Sequence, residues 1–293
     1  MYFLQLISSG LSLGSLYALI GLAFVLIYRA SGVVNFAQGE MMMIGGLIGF
    51  SLISYLHIPF FAAYLIAVLV LFFFGFFIER YVFRRMRTGK VFSAVMVTIG
   101  LSSILQGLSG MVWGHEIREI PFPAKMGVIN IWGIGLFKLD LYAIATTIVI
   151  LILFSVFIHR HKLGRAMTAS SSDLEASYLI GIPVDFIHGI SWGVSSAVSV
   201  IAGIFIGSLV YLEPTMGVFA LTAFPAIILG GLNSLLGAVV GGLAMGIIVN
   251  LAGGYLDPYI PGGTKEVVTY MVLLLVLMFR PYGLFGQKQI RRM

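Results

Sequence analysis

The 293-residue chain has no cysteine, and only 10% of its residues are charged. Without thiols there are no disulfide bridges and no thiolate metal sites. The scarcity of charge excludes more. A soluble domain carries about 25% charged residues, and a chain this long with so few could not cover a globule with polar groups. Signatures of catalysis are missing too. No Gly-x4-Gly-Lys-Ser/Thr run is present to cradle a nucleotide phosphate, and there is no His-Glu-x-x-His pair for a zinc ion. The histidines, His57, His115, His159, His161 and His188, are scattered. His159 and His161 flank Arg160, where a solvated role fits better than metal binding. There is no low-complexity stretch and no soluble domain.

What remains is apolar. Hydrophobic residues make up 60% of the chain, with 36 glycines and 23 phenylalanines, and mean hydropathy is +1.07. A helix needs about 20 apolar residues to cross the hydrocarbon core. Candidate spans run over 4–28, 36–56, 60–78, 92–113, 140–158, 187–212, 218–232, 235–251 and 266–280. The expected fold is therefore all-α: a polytopic transmembrane helical bundle of about eight or nine spans, forming one membrane domain over 1–293. The 218–232 and 235–251 pair is short and contains Pro225, Gly230, Gly231, Gly237, Gly241 and Gly242. Such a pair is either two tilted helices or a re-entrant element. Interrupted segments of this kind need protein or water to satisfy their freed backbone groups and often border a pathway, although close helix packing accounts for the glycines equally well. The N-terminus has no basic region and no A-x-A site after its first apolar run, so that run is expected to be a retained span.

Charge sets the orientation. The net charge of +6 sits in short loops between spans, which is the pattern of cytoplasmic loops and not of a nucleic-acid groove. Arg80, Arg84, Arg85, Arg87 and Lys90 fall in one loop, Arg160, Lys162 and Arg165 in another, and Lys288, Arg291 and Arg292 in the tail. The 114–139 loop mixes charges and carries Trp132, Pro121 and Pro123, with Trp113 just before it; with the 252–265 loop it reads as external. Counting back, the N-terminus lies outside if every span before residue 79 is real. Ser195, Ser199, Gly203 and Gly207 share a helix face, as do Gly237 and Gly241 with Gly242 and Gly246 beside them, the small-residue pattern of tightly packed membrane helices.

The 159–186 loop is the longest polar segment and is expected to be cytoplasmic. Ser172 or Asp173 can N-cap a short helix there, Leu174, Ser177 and Tyr178 share its face, and Gly181 followed by Pro183 ends it. Within the spans, Glu40 is the notable carboxylate. A charge in an apolar stretch is a functional candidate by default, but one near a helix N-terminus is also stabilised by the dipole. Asn233, Asn250 and Gln106 suit interhelical hydrogen bonding.

The spacing Glu175-Ala176-Ser177-x-x-x-Gly181 resembles the E-A-A-x-x-x-G signature of importer permeases, with Ser177 in place of the second Ala. Further segments extend the likeness over essentially the whole chain: Gly10-Leu11-Ser12-Leu13-Gly14-Ser15-Leu16-Tyr17-Ala18-Leu19, Val34-Asn35-Phe36-Ala37-Gln38-Gly39-Glu40, Gly164-Arg165-Ala166-Met167, Leu229-Gly230-Gly231-Leu232-Asn233-Ser234-Leu235-Leu236-Gly237-Ala238, and Phe279-Arg280-Pro281-Tyr282-Gly283-Leu284-Phe285-Gly286. In order and spacing they resemble the membrane permeases of the branched-chain amino acid family of ABC importers. The family commonly has a histidine where this chain has Gln38; a neutral amide in place of a titratable ring speaks against a proton-linked role there and leaves room for a hydrogen-bonding one.

The resemblance implies a multi-pass subunit of the bacterial cytoplasmic (inner) membrane that is not itself an enzyme. It implies pairing with a second homologous permease, two cytoplasmic ATPase subunits that bind ATP and Mg, and an external substrate-binding protein, with membrane lipid around it and no nucleic acid. No cofactor is expected in this chain. Gly164, Arg165, Asp173, Glu175, Ala176, Ser177 and Gly181 would couple to the ATPase. Asn35, Phe36, Gln38, Glu40 and Asn233 would line the pathway. The implied substrates are branched-chain or other hydrophobic amino acids; relatives of this type also carry urea or short amides. Outside this family, an ion-coupled secondary transporter would want an intramembrane acid or His relay, for which Glu40 is the one candidate, and a membrane enzyme would want a site that is not visible.

Overall fold

The computed structural model describes residues 2–86, 91–123, 127–131, 134–172, 174–260 and 262–286. In chain order its helices are α1 (Tyr2–Ser31), α2 (Gln38–Ser54), α3 (Phe60–Tyr81) with a 3-10 turn at Phe83–Met86, and α4 (Val91–Trp113). An antiparallel hairpin follows, β1 (Val128–Ile131) and β2 (Ile134–Phe137), pairing Val128 with Phe137. Then come α5 (Lys138–Arg160), α6 (Lys162–Ser172), α7 (Leu174–Leu179), α8 (Val184–Leu209), α9 (Val218–Thr222), α10 (Phe224–Gly230), α11 (Leu235–Leu256) and α12 (Thr264–Phe279). Among the described residues, six helices are long and apolar enough to cross a membrane; they comprise α1, α5, α8, α11 and the helices beginning at Phe60 and Phe92.

The differences from the expected spans have local causes. The 36–56 span starts only at Gln38 and has 17 residues, because 32–37 leaves the helix. The 218–232 segment is broken at Ala223, one residue before Phe224-Pro225, since proline is accepted in the first helical turn but not in a helix interior. The 235–251 segment is not short. It runs on to Leu256 as a 22-residue helix, started by Ser234, whose side chain accepts a hydrogen bond from the Gly237 amide at 3.0 Å. The span expected at 266–280 is a 16-residue helix. The 114–139 loop contains the hairpin, and the 159–186 loop holds two helices where one was expected.

The chain forms two compact units. One comprises residues 1–25, 124–151 and 222–293; the other comprises 26–123 and 152–221. In the first, α1 and α11 pack backbone to backbone through small residues. A Cβ on Gly14 would lie 2.7 Å from Leu243 Cα, and one on Gly242 would lie 2.6 Å from the Ala18 nitrogen. The Asn250 amide donates to Leu6 O at 2.7 Å, and Ser12 donates to the Asp140 carboxylate at 2.7 Å. The tail closes α10: the Leu284 and Phe285 amides donate to Leu229 O and Gly230 O at 2.8 and 3.0 Å, taking up carbonyls that a helix end leaves unpaired.

In the second unit α8 is the central helix, packed on α2 and α3. Its small face accounts for this. Gly189 and Gly193 receive Phe76 and Phe72 of α3, and Gly203 lies against the Met42 backbone of α2. The burial of the spans follows: 78% of the α8 window is buried and 17% of that in α4, so α4 presents most of its apolar surface outward, as a lipid-facing helix does. Both small-residue stripes thus serve packing inside the chain.

Candidate functional site

In the second unit a polar cluster forms where α2 begins. Asn35 Nδ2 donates to Gln38 Oε1 at 3.0 Å, and the Ala37 amide donates to Asn35 Oδ1 at 3.1 Å. Gln38 Nε2 donates to Ser195 Oγ at 3.0 Å and also to Ser199 Oγ. Ser196 donates to Trp192 O at 2.8 Å and faces the Met41 sulfur. Asn35 and Gln38 are each 1% exposed. Burial of so many polar groups is tolerated because they satisfy one another.

The position of this cluster along α8 is informative. Gln38 pairs with Ser195 and Ser199, Gly45 meets Val200, and Gly46 meets Leu212. The two helices therefore run parallel. At 1.5 Å per residue, Ser195 and Ser199 stand roughly 16–22 Å from the Val184 end of a helix about 39 Å long. So α2 starts about halfway along its neighbour, and residues 32–37 carry non-helical backbone to that depth. A second irregular stretch, after α8 ends at Leu209, reaches the same level. Gly39 abuts the Gly217 carbonyl so closely that a Cβ on Gly39 would collide with it, and a Cβ on Gly217 would lie 2.8 Å from Glu40 Oε1. Glu40 is 8% exposed. Ser102 of α4 is within hydrogen-bonding reach of its carboxylate, while its Oε2 is buried with no hydrogen-bond partner. Phe36 is half-buried in the same stretch. Asn35 and Gln38 are therefore brought together, while Glu40 faces Gly217 and Ser102. Asn233 lies in the turn between α10 and α11, half-buried, in the other unit. Sequence reasoning did not single out Ser196 or Gly217 for this site. The small-residue stripe through Ser195 and Ser199 was the available signal, but it carries no register to α2.

At the coupling segment, Gly164 on α6 is buried against α5, where a Cβ would reach the Phe157 carbonyl and the Ile158 backbone. Arg165 is exposed on α6. On α7, Ala176 is exposed and Ser177 buried. Gly181 has φ +77, a left-handed conformation that favours glycine. It lets the Ile182 amide reach Ser177 O at 3.0 Å and the Gly181 amide reach Tyr178 O at 3.1 Å, closing the helix end. Tyr178 OH donates to Asp185 at 2.9 Å. Asp185 in turn meets Arg84 at 3.6 Å, which lies 3.9 Å from the buried Glu79 of α3. A polar chain therefore ties α7 to the start of α8 and the end of α3. Leu179 and Ile180 protrude, 88% and 74% exposed. Asp173 and the Glu175 side chain lie outside the described residues. Among the described residues no group of His, Asp and Glu could hold a metal ion.

Apolar spans around a break halfway along α8, with buried polar groups at the break, are those of a polytopic helical membrane protein. The relatives are more specific. The sequence profile of the family described as branched-chain amino acid transport system, permease component, matches residues 6–277. The chain is 30% identical to the high-affinity branched-chain amino acid transport system permease protein LivH of Salmonella typhimurium over 312 residues, covering 100% of this chain and 98% of that one. It is 31% identical to the corresponding permease protein BraD of Pseudomonas aeruginosa over 306 residues, covering 99% and 98%. The solved structure of PsaBC from Streptococcus pneumoniae in complex with Fab is similar at a TM-score of 0.50 and 16% identity, over 99% of this chain and 94% of that one; at that identity it speaks to the fold alone. The chain belongs to the branched-chain amino acid permease family. It is a multi-pass permease component of the bacterial inner-membrane type, not an enzyme.

Proposed function

We propose that the chain forms the translocation pathway of an ATP-driven importer for branched-chain or other hydrophobic amino acids. The observation that carries this reading is the polar break at half depth, where α2 starts beside Ser195 and Ser199 and Gly217 meets Glu40. Discontinuous helices at the membrane midplane offer fixed backbone and side-chain groups to a solute, and non-helical backbone is stable there only against protein or a water-lined path. Asn35, Phe36, Gln38 and Glu40 line the path in the second unit, and Asn233 is a pathway residue of the first. The buried Glu40 Oε2 suits the ammonium group of an amino acid, and the sparse charge elsewhere suits an apolar side chain.

The energy enters through α6 and α7. Two cytoplasmic ATPase subunits bind ATP and Mg and receive the protruding Leu179 and Ile180, with Gly164, Arg165, Asp173, Glu175, Ala176, Ser177 and Gly181 shaping that segment. The basic ends of α3 and α5 face the cytoplasm, and a second homologous permease and an external binding protein complete the assembly. The test is uptake by cells expressing the full assembly, with labelled leucine, valine and urea compared. Leucine and valine are taken up, and Glu40→Gln lowers that uptake about tenfold, since losing a charge-assisted hydrogen bond of about 1.5 kcal/mol is worth one order of magnitude. Uptake of urea without leucine contradicts the assignment.

A further inference from the structure

A recess of about 490 Å³ in the second unit is lined by Arg29, Ile158, His159, Arg165, Thr168 and Ala169. It is built from the last turns of α1 and α5 and the first half of α6. Arg29 is half-buried and donates to Thr168 Oγ1 at 3.3 Å, which holds its guanidinium at the rim. Arg165 and His159 are exposed. No acid lines the recess, and among the described residues neither arginine is ion-paired with a carboxylate. Two guanidiniums sharing one cavity repel each other unless an anion sits between them. Planar guanidinium groups match phosphate oxygens in pairs.

Location narrows the anion. Arg29 and His159 are each within two residues of the end of an apolar span, the level at which headgroups lie, and Ile158 and Ala169 offer an apolar flank beside the charges. Basic recesses between span ends on the basic side of a membrane protein suit anionic phospholipids. We propose that this recess holds the phosphate of an anionic phospholipid headgroup, clamped by Arg29 and Arg165. A lipid there would bridge α1, α5 and α6 at the base of the segment that carries α7. A free phosphate has the same chemistry but no use for the apolar flank, and an acidic partner protein would reach Arg165 more readily than the half-buried Arg29.

The test is native mass spectrometry of the intact assembly released from micelles, titrated with phosphatidylglycerol, phosphatidylcholine or inorganic phosphate. The wild type retains phosphatidylglycerol preferentially. Arg165→Gln, an exposed position whose change leaves the fold intact, lowers that retention about tenfold and leaves phosphatidylcholine adducts unchanged, and Arg29→Lys lowers it less than Arg29→Gln. Equal retention in the wild type and Arg165→Gln overturns the proposal. So does full displacement of phosphatidylglycerol by millimolar inorganic phosphate, which assigns the recess to a free anion, and so does loss of ATPase subunits from Arg165→Gln with phosphatidylglycerol retention intact, which assigns it to a protein partner. Lipid retention is read without transport, so it fails independently of the importer assignment.

Discussion

Gln38 does more than any other single residue to fix the break. Its side chain accepts from Asn35 and donates to two serines of α8, so one amide ties the 32–37 stretch to the central helix. Interhelical hydrogen bonds inside membranes average only about 0.6 kcal/mol each, so this amide's contribution to stability is modest, about 1–2 kcal/mol in total. Its larger effect is on register. A neutral imidazole offers one donor and one acceptor, enough to replace the bond from Asn35 and one of the two serine bonds. We therefore expect Gln38→His to keep uptake within about twofold, and Gln38→Leu to lose it while lowering the melting temperature of the purified protein by only a few degrees. Uptake by Gln38→Leu at the wild-type level would remove the residue from the pathway.

At the scale of elements, the long spans were legible because each is a near-continuous apolar run, and the lipid solvent makes such runs decisive. The gap between the 4–28 and 36–56 spans was legible as well, but not that 32–37 carries non-helical backbone to halfway along α8, because its apolar Val33, Val34 and Phe36 give no sign of depth. The pairing of Gln38 with Ser195 was out of reach for another reason: it joins residues far apart in sequence, and a single sequence holds no register between helices. Helix α6 was missed because KLGRAMTASSS is polar and weakly helical on its own. It forms through the close approach of Gly164 to α5 and the burial of Met167 and Ser170. The hairpin lay hidden in a loop read only for its charges and tryptophans. By contrast, the end of α7 was legible from Gly181 and Pro183, and the positive φ of Gly181 gives the reason. A side chain there costs about 1–2 kcal/mol, least for Asn. Gly181→Arg should abolish substrate-stimulated ATP hydrolysis in the assembled complex while membrane insertion and yield stay normal, and Gly181→Asn should retain most of it. Unchanged stimulation in Gly181→Arg would separate α7 from coupling.

For the whole molecule, the scarcity of charge that marks the chain as a membrane protein also constrains how it can be driven. Glu40 is the one carboxylate at the break, and it sits against Gly217 and Ser102 with no chain of titratable groups leading from it among the described residues. Proton relays in pumps and transporters run through chains of Asp, Glu and His. In the proposed importer the energy is delivered from outside the spans, through α7, which the Tyr178, Asp185, Arg84 and Glu79 contacts connect to α8 and α3. Those same helices carry Ser195, Ser199 and the packing on α2, so a displacement of α7 has a route of packed elements to the polar break.

The most direct test is reconstitution in proteoliposomes of this chain with its second permease, ATPase subunits and binding protein, following labelled leucine. The expected result is uptake that needs ATP inside the compartment holding the ATPase subunits, persists when ion gradients are collapsed, and is absent when this chain is reconstituted alone. Leucine uptake by this chain alone, driven by a proton or sodium gradient, would contradict it.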